Sequence, residues 1–348
     1  MTDFPIVVIG ASSGGVTALM KLCAGLPSDF PAAVLVVQHL SPRHPSMLPR
    51  ILSSAGPLHA LHPRSGQSFH RGMIYVAPPD HHMLVEGNTL LLTKGPKENR
   101  SRPSIDTLFR SAALTAGPNV IGVVLTGLLD DGTSGLHAVK CRGGVTIVQD
   151  PDTAEFDSMP RSALSSVEVD HVVPLAELAT LLTTLVQDMT RTQPVGRPRM
   201  TEQEQHRLKV EVGIAREENA FRQGVSGLGT PSLLTCPECH GALIQIEEGK
   251  VARYRCHTGH AYTADALLSE VSESIEDKAY QVLRTLEEAV ILLTHLSDQS
   301  TAQGDTQAAA AFLARAREIE SSSEGVRRLA LNNQHLSVEN IQYPASED

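Results

Sequence analysis

"FPIVVIGASSGGVTALMKL", Phe4 to Leu22, sets the problem of this fold. An apolar run of strand length ends in small residues and passes without a linker into a helical pattern. Two chemistries use such a turn. A glycine-rich loop can hold a cofactor phosphate against a helix N-terminus. Alternatively, Gly10-Ala11-Ser12-Ser13-Gly14 satisfies the G-x-S-x-G pattern that lifts a serine onto a sharp strand-to-helix turn.

The surrounding chain repeats the same grammar. "AAVLVVQ", "NVIGVVLTG" and "VTIVQ" read as further strands apolar on both faces, with helical patterns at residues 15–24, 104–116 and 132–142 between them. Strands buried on both faces and alternating with helices predict an α/β fold, a doubly wound, mostly parallel sheet. Between Leu58 and Lys94, short β patterns broken by Gly, Pro and Asn predict a small antiparallel insertion over one edge of the sheet.

A dinucleotide site needs an acidic residue, or an Arg for a 2'-phosphate, at the end of the second strand. Here that strand ends in Gln38-His39. "GASSGG" also resembles the glycine motif of short-chain dehydrogenases, whose Tyr is followed four positions later by Lys. Tyr75 is followed by Pro79 and Tyr280 by Arg284. A nucleophile instead needs a base and an orienting carboxylate, and a parallel sheet gathers its strand C-termini at one edge. Ser12 follows the first strand, His39 ends the second, and Asp131 lies just past "NVIGVVLTG" in "LTGLLDDGTSG". His39 would take the Ser12 proton and Asp131 would hold the imidazole. Ser13, at the helix start, and Leu128, in the "TGLLDDG" turn, are the backbone donors expected to face an oxyanion. The order Ser, His, Asp differs from the Ser, Asp, His of α/β-hydrolases.

These stretches, together with "GMIYVAPPDHHM" and "NRSRPSIDTLF", resemble the catalytic domain of the CheB-type protein-glutamate methylesterases of bacterial chemotaxis, over residues 4 to about 187. In that family the serine of the glycine turn, the histidine after the second strand and the aspartate before the Gly of an N-D-G turn form the triad. They map onto Ser12, His39 and Asp131. The family's usual Asn before the aspartate is Asp130 here, a second carboxylate expected either to raise the pKa of the first or to be the alternative to it, with Asp131 the favoured residue. The resemblance implies a serine hydrolase that removes methyl esters from glutamate side chains of a chemoreceptor-like protein in sensory adaptation, through an acyl-serine and with no cofactor for catalysis. Deamidation of glutamine on the same targets is the related alternative, and a non-catalytic partner-binding scaffold is the alternative of another class. The family's familiar enzyme carries an N-terminal receiver domain, so phospho-activation in cis is not expected in this chain.

Composition narrows the partners. The 348 residues include 39 Asp plus Glu against 29 Lys plus Arg, a net charge of -10, which disfavours nonspecific nucleic-acid binding. No signal-peptide pattern and no run of membrane-spanning length occurs, so a cytoplasmic protein without membrane insertion is the expectation.

Beyond about residue 190 the chain changes character. "TRTQPVGRPRM" reads as a linker, and "TEQEQHRLKVEVGIAREENAF" as a charged helix with few core positions. "CPECHGALIQIEEGKVARYRCHTGH" then places Cys236 and Cys239, and Cys256 and His260, as two pairs separated by sixteen residues that read as a hairpin. Such spacing predicts a zinc ribbon with a closed, structural Zn2+ site. His257 is the alternative fourth ligand. The remaining cysteines, Cys23 and Cys141, fall in helical patterns as small buried hydrophobes. Apolar steps of three and four through Ile275, Ala279, Val282, Leu286, Ala289, Leu293 and Leu296 predict one long helix, and a second pattern carries Phe312, Leu313, Ala316, Ile319 and Leu329. The expected organisation is a catalytic domain at 1–190, a linker with a charged helix at 191–231, a zinc-ribbon-like module at 232–265, a helical hairpin at 266–335 with an apolar stripe for self-association or partner binding, and a flexible tail at 336–348.

Overall fold

The computed structural model describes residues 4–191 and 200–331; most of the expected linker and the expected tail lie outside the described residues. By contacts the chain divides into two units, Met1–Ala266 and Leu267–Asp348.

The first unit is built on a seven-stranded sheet with the order β10-β9-β8-β1-β2-β5-β3. Its strands are β1 (Ile6–Ala11), β2 (Ala33–Gln38), β3 (His59–Leu61), β5 (Met73–Val76), β8 (Val120–Val124), β9 (Val145–Gln149) and β10 (His171–Val173). Every pairing in it is parallel. The segment expected to form only an antiparallel insertion supplies two of these strands, β3 and β5. Its remainder, β4 (Gln67–Ser68), β6 (His82–Glu86) and β7 (Thr89–Thr93), forms a separate antiparallel sheet. Short strands broken by turns carry no signal of which sheet they join, because pairing is decided by distant neighbours.

Alternation along β1 explains why the sheet is covered on both sides. Ile6 and Val8 point into one core, Val7 and Ile9 into the other. The first core is closed by α3 (Ile105–Ala116), α4 (Thr133–Cys141) and α5 (Ser158–Ser166), the second by α1 (Gly15–Gly25), α2 (Leu48–Ala55) and α6 (Leu175–Arg191). Cys23 is buried in the second core as expected, whereas Cys141 is only half-buried. Strand order reverses between β1 and β8, which opens the crevice where α/β sheets hold their sites.

The charged helix is less solvated than its sequence suggests. As α7 (Glu202–Ala215) it buries Leu208, Val212 and Ala215 in the first core, and Val210 and Ile214 in a smaller cluster. Thr201 and Glu204 close its start as a reciprocal capping box. The cysteine-bearing segment forms a four-stranded antiparallel sheet, β11 (Thr230–Thr235), β12 (Ala242–Glu248), β13 (Val251–Cys256) and β14 (Ala261–Thr263), within the same unit as the parallel sheet.

The second unit comprises most of α8 (Ala264–Ala302) and α9 (Thr306–Leu331). Ser297 donates to the Ala309 carbonyl and Arg327 pairs with Glu287, so the helices run antiparallel as expected. The buried line of α8 passes through Ala279, Leu283 and Ser297, while Val282 and Leu296 of the expected stripe stand exposed.

Candidate active site

Ser12 is the first residue beyond β1. Its N–H donates to the Thr126 carbonyl at 3.0 Å, and its carbonyl accepts from Gln38 Nε2 at 2.7 Å. The left-handed backbone of this turn falls on Gly14, with φ of 74° at the N-cap of α1, so Ser12 itself needs no strained conformation. A Cβ built on Gly127 would stand 2.8 Å from Ser12 Cβ and 2.2 Å from Met159 Sδ. Glycine is therefore what lets the "TGLLDDG" turn lie against the serine.

The structure brings Ser12, His39 and Asp131 together. His39 Nδ1 is 3.2 Å from Ser12 Oγ, and His39 Nε2 is 2.8 Å from Asp131 Oδ2. This reverses the ring orientation of the usual serine-hydrolase triad, in which Nε2 faces the serine. The tautomer compatible with both contacts carries its proton on Nε2, donated to Asp131, and leaves Nδ1 free to accept from Ser12. His39 is half-buried and Asp131 almost wholly buried.

Asp131 is held from every side. Its Oδ1 accepts from Asn99 Nδ2 at 3.0 Å and Ser104 Oγ at 2.9 Å, and its Oδ2 accepts from the Ile105 N–H at 2.7 Å. Ser104 precedes α3 in the N-cap position but makes no side-chain cap; its hydroxyl goes to Asp131 instead. Burial works against the Asp131 charge, but the hydrogen bond from His39, its charge once the ring is protonated, the Ile105 N–H and the Asn99 amide outweigh it and hold the carboxyl below its ordinary range.

The neighbouring carboxylates behave oppositely. Burial, then the charge of Asp131, raises Asp106 to about 8. Burial likewise raises Asp130 to about 7, with the charges of Asp265 and Asp131 adding to it and the Thr263 hydroxyl opposing. The second carboxylate expected to raise Asp131 thus bears the shift itself, because Asp130 faces Thr263 while Asp131 faces the imidazole and a helix N-terminus.

Among the described residues, no hydrogen bond takes the N–H of Ser13 or of Leu128, the two expected oxyanion donors. A pocket of about 150 Å³ opens beside His39, bounded by Asp80, Lys97, Arg102 and Pro103, where Arg102 Nη2 pairs with Asp80 Oδ1 at 2.7 Å. Sequence reasoning missed Asn99, Ser104, Asp106 and Gln38 as members of this site. "NRSRPSIDTLF" does announce a helix start, but a cap signal does not say whose carboxylate the helix will receive.

Away from this crevice, Cys236, Cys239, Cys256 and His260 place their ligand atoms within 4.8 Å of one another. Two tight turns present them. The Cys236 N–H donates to the Gly241 carbonyl at 2.8 Å, and the Cys256 N–H to the His260 carbonyl at 3.0 Å.

A parallel sheet with serine, imidazole and carboxylate in contact at its switch point has the constellation that serine-dependent hydrolases use. The CheB methylesterase family model matches residues 7–182. A Leptospira interrogans protein, named provisionally as a protein-glutamate methylesterase/protein-glutamine glutaminase, is 38% identical over 187 residues, 53% of this chain and 97% of its own length. A Methanosarcina mazei protein-glutamate methylesterase/protein-glutamine glutaminase is 38% identical over 182 residues, half of each chain. The crystal structure of the Thermotoga maritima CheB methylesterase catalytic domain superposes with a TM-score of 0.51 and 34% identity, covering 53% of this chain and 99% of that one. The chain belongs to the CheB methylesterase family.

Proposed function

We propose that this protein is a protein-glutamate methylesterase acting on a chemoreceptor-like protein, with Ser12 as nucleophile, His39 as general base and acid, and Asp131 as its orienting anion. The observation that carries this reading is the continuous contact from Ser12 Oγ through the His39 ring to Asp131 Oδ2. Ser12 Oγ attacks the ester carbonyl as His39 Nδ1 takes its proton, and Asp131 stabilises the imidazolium. The N–H groups of Ser13 and Leu128 receive the oxyanion. Collapse returns the proton to the methoxy group and releases methanol. Water then attacks the acyl-Ser12 by the same base, leaving glutamate and free serine. A glutamine side chain would give the same acyl-enzyme with loss of ammonia, and the names of the relatives favour that second activity.

The reaction takes place on cytoplasmic receptor segments under this proposal; among the described residues no helix is long and apolar enough to cross a membrane. The C-terminal helices would hold the enzyme near its receptor, directly or by self-association, since Val282, Ile291, Leu292 and Leu296 stand exposed. The deciding experiment follows methanol release from methylated receptor. Wild type should release it, Ser12→Ala should lose at least about 10⁴-fold while staying folded, and Ser13→Ala should retain activity. A full rate in Ser12→Ala would refute the assignment.

A further inference from the structure

Cys239 Sγ and Cys256 Sγ are 3.6 Å apart, and His260 Nδ1 is 3.6 Å from Cys256 Sγ and 3.7 Å from Cys236 Sγ. Sulfur atoms bonded as a disulfide would be at about 2.05 Å. Ligands on a tetrahedral zinc, with bonds of about 2.0 to 2.3 Å, are separated by the tetrahedron's edges, about 3.3 to 3.8 Å. The donor set of three thiols and one imidazole, the soft and borderline ligands that zinc prefers, is complete and leaves no open position.

The strand that leaves this cluster leads to the active site. His260 is followed directly by β14, whose Ala261 donates to the Lys97 carbonyl at 3.3 Å and accepts from the Asn99 N–H at 2.9 Å. The Asn99 side chain is held at both ends. Its Oδ1 accepts from the Thr263 N–H at 3.0 Å, and its Nδ2 donates to Asp131 Oδ1 at 3.0 Å and Asp106 Oδ2 at 2.9 Å. Thr263 Oγ1 donates to Asp130 Oδ1 at 2.7 Å. Asn99 has a left-handed backbone, φ of 48°, a conformation that Asn tolerates better than most residues.

A buried ionic cluster fixes this contact. Arg253 and Arg255 of β13 meet Glu211 of α7, and Arg255 also meets Glu98, the residue before Asn99. Arg110 of α3 pairs with Glu98, and Glu248 of β12 pairs with Arg253. Three arginines and three glutamates, each under 5% exposed, balance in charge. Separating the ribbon would strand several of these charges without partners, which is strongly unfavourable in a buried site.

We infer that Cys236, Cys239, Cys256 and His260 bind one Zn2+, and that this zinc is a positioning element of the esterase, fixing β14 so that Thr263 and Asn99 hold Asp131 against His39. The catalytic half of this inference rests on the proposed triad; the metal half does not.

The test uses the full chain purified without chelators, then stripped of metal, then reloaded with zinc. Metal analysis should find about one zinc per chain, as a closed site requires. On a small activated ester, the stripped protein should lose about tenfold in kcat, the value of one charge-assisted hydrogen bond, with KM unchanged and the rate profile moved to lower pH, and zinc should restore both. At full zinc content Asn99→Ala, which removes the amide joining the Thr263 N–H to Asp131, should lose kcat and move the pH profile in the same directions, which holds even if the stripped chain unfolds. The low-field proton resonance of the His39–Asp131 hydrogen bond should change on stripping, a readout independent of turnover. Less than about 0.2 zinc per chain overturns the metal site. An unchanged kcat, pH profile and proton resonance in a folded stripped chain, or equal kcat in Asn99→Ala and wild type, overturns the positioning role. Should no form hydrolyse any ester, the triad assignment fails, and the proton resonance alone then decides whether zinc reaches Asp131.

Discussion

Asp106 and Asp131 cap each other's helices. Asp131, just before α4, receives the Ile105 N–H at the start of α3 at 2.7 Å, while Asp106, in the first turn of α3, receives the N–H groups of Gly132 and Gly135 at the start of α4 at 3.1 and 2.6 Å. Each carboxylate thus sits at the positive end of the other's helix. The exchange fixes the two helices to one another and makes the proposed catalytic aspartate part of a structural joint.

Asp131→Asn should lower hydrolysis by about 10⁴-fold, because an amide cannot hold the imidazole in the tautomer that accepts from Ser12. Asp130→Asn should remain within about threefold of wild type, since Asp130 contacts Thr263 and not the His39 ring. Steady-state rates on one ester substrate compare the two. The opposite ranking would transfer the role to Asp130.

Asp130 also predicts a pH dependence of stability. Its carboxyl is raised from 3.8 to about 7, first by burial, so across that window the folded chain keeps a proton that the unfolded chain has released. Its contribution to stability is full below about 4 and is lost as pH rises through about 7. Asp130→Asn, the residue the family usually has there, removes this titration. Denaturant melts should show the variant gaining on wild type between pH 4 and 8, by at most about 4 kcal/mol. A difference that stays constant across the window would mean that Asp130 does not titrate there.

Gly127→Ala should damage activity more than stability. The new methyl group would stand 2.2 Å from Met159 Sδ and 2.8 Å from Ser12 Cβ. Met159 can move aside, but the turn bearing Leu128 must then lift away from the serine. We expect a fall in kcat of about 10²-fold, the scale of a lost oxyanion donor, with a small change in melting temperature. Equal kcat in variant and wild type would show that the turn does not touch the reaction.

Truncation after Thr190 removes α7 and the ribbon, and should destabilise what remains. Leu208, Val212 and Ala215 leave the first core, and Glu98 loses Arg255. Burial of two such aliphatic side chains alone is worth about 3–6 kcal/mol. Thermal melts of the truncated and full chains provide the comparison. A truncated chain that melts at the same temperature would show that residues 200–266 add nothing to the core.

The sequence by itself determined the parallel sheet, because β-branched runs flanked by helical patterns can bury both faces only that way. It also brought Ser12, His39 and Asp131 to one edge, since each follows a strand whose direction the sheet fixes. The cysteine spacing announced the clustering of three thiols and an imidazole for the same local reason. Tertiary structure alone decided the rest. Charged residues of α7 and β13 look in sequence like solvated faces, and only burial turns Glu211, Arg253 and Arg255 into a closed ionic cluster. Arg255 and Glu98 meet across 157 positions of chain, and Thr263 and Asn99 across 164. Spacing and periodicity report only which neighbours share a face. The field at a carboxylate comes from whatever the completed fold places around it, and so the lowered Asp131 beside the raised Asp130 and Asp106 belongs to the structure.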